Sequence, residues 1–137
     1  MPSAEIVAIG SELLLGQIVD TNSSWLAQRL TTLGIDLFHK TVVGDNPKRM
    51  RDVIARALER SDVVITGGGL GPTQDDITRE VVAEVTGRKL VLVPALLEHI
   101  EKRFRRRGFI MTSNNERQAY IPEGATAIDN PNGTAPS

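Results

Sequence analysis

The sequence has no cysteine and only two histidines, His39 and His99. Disulfide scaffolds, thiolate zinc sites and histidine-cluster metal centres are therefore excluded. There is no excess charge of either sign. Lys and Arg number 16 against 17 Asp and Glu, a net charge of -1, whereas nucleic-acid-binding domains are usually strongly basic. No apolar run reaches the roughly 20 residues that span a bilayer. Met1-Pro2-Ser3-Ala4-Glu5 lacks the positive start and apolar stretch of a signal peptide. The expectation is a cytoplasmic protein that binds neither nucleic acid nor membrane. Internal repeats, low-complexity segments and a Ser/Gly/Pro-rich linker are also missing.

What remains is 137 residues, read as a single domain over 1–137 with a core of its own. Its hydrophobic period alternates between two kinds. Ile6-Val7-Ala8-Ile9 is a continuous apolar run and predicts a buried strand. Asp20-Thr21-Asn22 offers caps for a helix carrying Leu26, Leu30 and Leu33 and closed by Gly34. Ile35 to Val43 predicts a second strand. Pro47 opens a second helix with Met50, Val53, Ile54, Ala57 and Leu58 on one face. Val63-Val64-Ile65 predicts a third strand. A third helix carries Ile77, Val81, Val82 and Val85. A fourth starts at Pro94, with Leu96, Leu97, Ile100 and Phe104 along one stripe. Beyond Gly108 the pattern predicts a short helix over 114–120 and a short strand over 126–128. The order β-α-β-α-β-α predicts an α/β fold, a mostly parallel sheet with helices on both faces.

In such sheets ligands bind beyond the carboxyl ends of the strands. The first strand is followed by Gly10-Ser11-Glu12, the second by Gly44-Asp45-Asn46, and the third by Thr66 to Asp76. The third loop has glycine at four of five positions, Gly67, Gly68, Gly69 and Gly71. A tight turn with Asp75 or Asp76 as helix cap explains only one or two of them. Glycines let backbone amides approach a ligand closely, and the following helix start favours an anion such as phosphate. The loop lacks the lysine of a P-loop, and residues 10–16 do not supply a dinucleotide fingerprint.

Carboxylates beside a phosphate cradle repel it unless a cation lies between them. Magnesium-like cations take one or two carboxylates plus phosphate oxygens. This points to a nucleotide-like diphosphate on the loop amides, with a divalent cation (Mg, Mn or Co) held by Asp45 and by Asp75 or Asp76. Ser11, Glu12, Thr73 and Thr78 are candidate ligand contacts. For Asp45, capping of the second helix is an equal alternative. Arg103, Arg105, Arg106 and Arg107 form a basic run at a helix end. It reads first as relief of the helix dipole on a solvated face, and second as a phosphate contact for a neighbouring subunit. His39 and His99 read as structural or exposed, and Trp25 as a packing residue.

At these loops the sequence resembles a known family. The segment Gly10-Ser11-Glu12-Leu13-Leu14-Leu15-Gly16-Gln17-Ile18-Val19-Asp20-Thr21-Asn22 resembles the opening of the CinA (competence/damage-inducible) family. So do Val43-Gly44-Asp45-Asn46, Gly68-Gly69-Leu70-Gly71-Pro72-Thr73-Gln74-Asp75-Asp76-Ile77-Thr78, and Asn130-Pro131-Asn132-Gly133-Thr134-Ala135-Pro136. The resemblance implies a three-layer α/β/α fold similar to the molybdopterin-binding proteins MogA and MoaB. Their pterin phosphate binds at the Gly-rich loop, and two aspartates, at the positions of Asp45 and Asp76, act with Mg²⁺ in adenylyl transfer. Asp75 is the extra carboxylate of the CinA version. The resemblance further implies metal-dependent hydrolysis of the ADP-ribose pyrophosphate bond and self-association into at least a dimer. Two other readings stay open: a non-catalytic pterin- or nucleotide-binding module of a larger protein, and molybdopterin adenylyl transfer. The family's nicotinamide mononucleotide amidase lies in a carboxy-terminal domain that this chain does not include. The family motif also continues Gly-Thr-Ala-Pro-Gly where this chain ends at Ser137, so a domain truncated at its carboxy-terminal end is expected.

Overall fold

The computed structural model describes residues 1–137. It consists of two compact units, Met1–Gly69 and Leu70–Ser137.

The first unit contains β1 (Ser3–Ile9), α1 (Ser11–Leu14), α2 (Thr21–Thr32), β2 (Asp36–Val43), α3 (Pro47–Arg60) and β3 (Val63–Gly67). The strands form one parallel sheet in the order β2-β1-β3. β1 is central and is buried from Ala4 through Ile9, which is why its sequence is a continuous apolar run rather than an alternating one. β3 extends past its expected end, because Thr66 and Gly67 pair with Val7 and Ala8. Gly67 is therefore the last strand residue, and the loop begins at Gly68.

Each helix begins where its chemistry permits. The Asp20 carboxylate accepts the Ser23 N–H at 3.0 Å and caps α2. At α3 the cap is Asn46, which accepts the Arg49 N–H at 3.0 Å, and Pro47 occupies the first turn. Asp45 is thus not the cap. Leu26, Ala27 and Leu30 of α2 pack on Ala4 and Ile6 of β1, together with Ile35, Leu37 and Ile65. Leu33, expected on that face, falls at the helix end and is 72% exposed. Met50, Ile54 and Ala57 are the buried face of α3. The crossover from β1 to β2 and the one from β2 past β1 to β3 run in opposite directions across the sheet, so right-handed connections put α2 and α3 on opposite faces. The alternation of β1 agrees: Ala4 and Ile6 meet α2, while Glu5 between them meets Arg60 of α3. The unit is a three-layer α/β/α sandwich, as expected.

The second unit contains α4 (Thr78–Val85), β4 (Leu90–Leu92), α5 (Pro94–Arg106), α6 (Ser113–Glu116), a 3₁₀ turn at Arg117–Ala119 and β5 (Tyr120–Pro122). β4 and β5 pair antiparallel, with Val91 opposite Ile121. The strand expected over 126–128 is absent. Ile128 instead exchanges two backbone hydrogen bonds with Ser137, at 2.7 and 3.0 Å. The helix expected over 114–120 is one α turn followed by one 3₁₀ turn, and Tyr120 is already extended. No helix is long and apolar enough to cross a membrane.

Candidate functional site

The sheet order of the first unit reverses at β1, so a crevice opens between the carboxyl ends of β1 and β3. Ala8 pairs with Gly67 there. Gly68 has φ +100°, and a Cβ on it would collide with the carbonyl oxygen of Ile9. Only glycine lets the two strand ends approach this closely. Beyond them lies a cleft of about 210 Å³ lined by Glu12, Asp20, Thr21, Asn22, Gly67 and Gly68, among others. The Glu12 carboxylate folds back over Gly10, leaving Oε1 2.6 Å from where a Cβ would stand.

Three of the expected site residues, Glu12, Gly67 and Gly68, are thus gathered at one cleft. The amino end of α2 lines the same cleft and was not among the expected ligand contacts. Its signal was present in the Asp20-Thr21-Asn22 cap. A helix start that follows the first strand of a doubly wound sheet faces its carboxyl edge.

Ser11 and Asp45 are bound to each other. The Ser11 N–H donates to Asp45 Oδ2 at 3.3 Å, and the Asp45 N–H donates to Ser11 Oγ at 3.2 Å. Asp45 therefore laces the loop after β1 to the loop after β2. Its Oδ1 carries neither of these bonds. Gly69, with φ +72°, closes the unit.

In the second unit the loop from Leu70 to Ile77 carries Gly71, Thr73, Asp75 and Asp76. Neither aspartate caps α4, whose cap position is Ile77 with no side-chain bond. Asp76 Oδ2 instead accepts both the N–H and the hydroxyl of Thr73, at 3.0 and 2.7 Å. It also stands 2.5 Å from where a Cβ on Gly71 would be, so that glycine makes room for the carboxylate. Asp75 is exposed, and Thr78 is buried at 1% exposure in the first turn of α4.

Two arginines hold this loop, and neither was foreseen because both lie outside it in sequence. Arg117 donates to the carbonyls of Thr73 and Asp76, each at 2.9 Å, and to Glu80 Oε1 at 2.8 Å. Arg79, 5% exposed, donates from Nη2 to the Leu70 carbonyl at 3.1 Å. Its buried Nη1 has no partner, and neither does Glu80 Oε2. Burial pulls the Arg79 pKa down; Glu80 opposes this, and Arg117 adds to it. Gln118 joins the set, accepting the Thr134 hydroxyl at 2.7 Å.

Within either unit, no group of three or more His, Asp or Glu side chains is gathered around one point. That does not conflict with a magnesium-like cation, which needs only one or two carboxylates and draws its other ligands from phosphate and water. Asp75 and Asp76 are adjacent in sequence, and Asp76 Oδ1 carries none of the Thr73 bonds.

The family model described as "Probable molybdopterin binding domain" matches residues 5–137. A protein of Symbiobacterium thermophilum named "Putative competence-damage inducible protein" is 56% identical over 133 residues, 97% of this chain and 31% of its own length. The chain therefore spans about a third of the length of the curated relatives it matches. A crystal structure of the protein CinA from Thermoplasma acidophilum, described as of unknown function, superposes with TM-score 0.91 at 35% identity, over 98% of this chain and 79% of that one. The molybdopterin biosynthesis enzyme MoaB of Thermus thermophilus shares the fold, with TM-score 0.59 at 20% identity over 89% of this chain and 79% of that one.

Proposed function

The chain belongs to the molybdopterin-binding-domain family and, within it, to the CinA proteins; from that premise we propose that it binds a nucleotide diphosphate and hydrolyses the pyrophosphate bond of ADP-ribose. The observation that carries this reading is the cleft at the β1 and β3 carboxyl ends. Glycine backbone and the amino end of α2 line it together. That combination suits a phosphate-bearing ligand accompanied by a cation, because the helix start favours an anion while the Glu12 and Asp20 carboxylates of the same lining oppose one. Its volume of about 210 Å³ suits part of a nucleotide rather than all of it.

A divalent cation would supply polarisation of a phosphoryl oxygen or activation of a water molecule. The carboxylates that the sequence pattern offers for it are Asp45 in the first unit and Asp75 and Asp76 in the second. Asp76 is well suited to the task, since Thr73 and Gly71 fix its side chain before any ligand arrives. The unpaired Nη1 of Arg79 beneath the same loop is a further donor for an anion or its water. The protein would work in the cytoplasm, as a dimer or larger assembly.

The test is to incubate the protein with ADP-ribose and Mg²⁺, Mn²⁺ or Co²⁺ and to measure AMP. The expected result is cation-dependent AMP release that Asp76→Asn abolishes while the fold persists. Calorimetric binding of ADP-ribose with no AMP release would overturn the hydrolytic part of the proposal. Absence of binding would overturn the whole.

A further inference from the structure

The basic run at the end of α5 is not simply a cluster in sequence. His99, Lys102, Arg103, Arg106 and Arg107 sit at i, i+3, i+4, i+7 and i+8, which places them on one face of the helix. Arg105 lies off that stripe and pairs with Glu101 at 3.7 Å. The stripe borders a cavity of about 330 Å³ whose opposite wall includes Pro131. Relief of the helix dipole accounts for cations in the last turn only. It does not account for Lys102 and His99 one and two turns earlier, nor for a shared cavity.

The charges of this face are unequally compensated. Glu98 takes Lys102 at 3.0 Å, and Asp129 lies 3.4 Å from His99. Arg103 has no carboxylate. It donates to the carbonyls of Asn130 and Pro131, at 3.0 and 2.9 Å, which hold its guanidinium at the cavity wall. Arg106 and Arg107 are exposed and make no ion pair. Three guanidinium groups thus face one cavity without an acid among them, in a chain whose overall charge is -1.

We propose that this face of α5 is a second ligand site, for a small anion carrying at least two phosphate groups. One phosphate brings about two negative charges, fewer than the three uncompensated arginines. The stripe from His99 to Arg107 rises about 12 Å along the helix, longer than one phosphate can span. Arginine forks bind phosphate oxygens in pairs, and Arg103 is already fixed in place. The proposal does not depend on what the β1/β3 cleft binds.

The experiment is a titration of the isotopically labelled chain with inorganic pyrophosphate, followed by amide NMR shifts and calorimetry, with sulfate and a single-stranded RNA oligomer as comparison arms. The expected result is saturable shifts over 99–107 and at Asn130, and at least about tenfold weaker binding in Arg106→Gln/Arg107→Gln. Both residues are exposed, so this variant keeps its thermal midpoint. Sulfate binding as tightly as pyrophosphate would overturn the assignment to a diphosphate. So would RNA binding at this face in preference to pyrophosphate. Pyrophosphate shifts confined to other segments, or unchanged affinity in the double variant, would overturn the site itself.

Discussion

Ser11 and Asp45 are bound to each other twice, each backbone N–H donating to the other's side-chain oxygen. The loops that end β1 and β2 are thereby locked in register, and Gly10 adds a 2.9 Å bond to the Val43 carbonyl. A carboxylate assigned to a cation thus also has structural work. Asp45→Asn keeps an acceptor for the Ser11 N–H and should fold with stability within about 0.5 kcal/mol of the parent. Asp45→Ala loses that acceptor and should cost about 1 kcal/mol. Denaturant unfolding separates the two. An alanine variant as stable as the parent would show that the lacing contributes nothing. If the cation assignment holds, both variants lose cation-dependent turnover.

Gly68 marks where the strand ends meet. Gly68→Ala must place its Cβ against the Ile9 carbonyl, a backbone atom that cannot step aside, at a left-handed φ of +100°. The φ alone costs about 1–3 kcal/mol, so the variant should unfold at clearly lower denaturant. Gly87→Ala is the comparison. It shares a left-handed φ, +66°, but has open space around the added carbon. Gly68→Ala should be the worse of the two, and equal losses would mean that the close approach is unimportant.

Much of this was legible in the sequence, and the exceptions have physical causes. β1 and the helices α2, α3 and α5 announce themselves, because burial sets their period and Asp20, Pro47 and Pro94 mark their starts. β4 was missed although Leu90-Val91-Leu92 is apolar. Three residues carry too little period to separate a strand from a loop. β5 was placed at 126–128 instead of Tyr120–Pro122, because its only partner is that same short strand. At the site, the glycines were readable as close-approach positions. The roles of Asp76, Arg79 and Arg117 were not, since they depend on which carbonyls a folded loop turns toward them.

Glu5 is fully buried in the central strand and meets Arg60 through two hydrogen bonds, at 2.9 and 2.7 Å. Those bonds hold its pKa below the ordinary value of 4.5 against the opposing effect of burial; the charges of Arg60 and then His39 lower it further. A depressed carboxyl pKa contributes stability above the unfolded value and loses it as pH falls through the folded one. Arg60→Met leaves the buried carboxylate without its partner. The thermal midpoint should fall by on the order of 5 °C at neutral pH, a figure reduced to allow for solvent at the guanidinium. That gap should shrink as pH falls through the carboxyl range and the parent loses the stability that its depressed Glu5 pKa supplies. Glu5→Met/Arg60→Met should recover most of the loss. A gap independent of pH would assign the effect to lost packing of the arginine stem.

Arg117 ties Thr73, Asp76 and Glu80 together from the 3₁₀ turn. Glu80 Oε2 is already without a partner, so removing Arg117 strips the carboxylate of its salt bridge at 2.8 Å. Arg117→Ala should cost about 1.5–3 kcal/mol, the range for hydrogen bonds to charged groups. The more specific result concerns the loop. With both carbonyls released, amide exchange from Thr73 to Asp76 should quicken more than in α5 or β4, because local opening is governed by local bonds. Arg117→Lys keeps the charge but not the fork, and cannot reach two carbonyls and a carboxylate together. It should restore part of the stability and little of the loop protection. Full protection in the lysine variant would mean that charge alone, through Glu80, holds the loop; uniform exchange across the unit in Arg117→Ala would mean that Arg117 supports the whole unit and not the loop that carries Asp76.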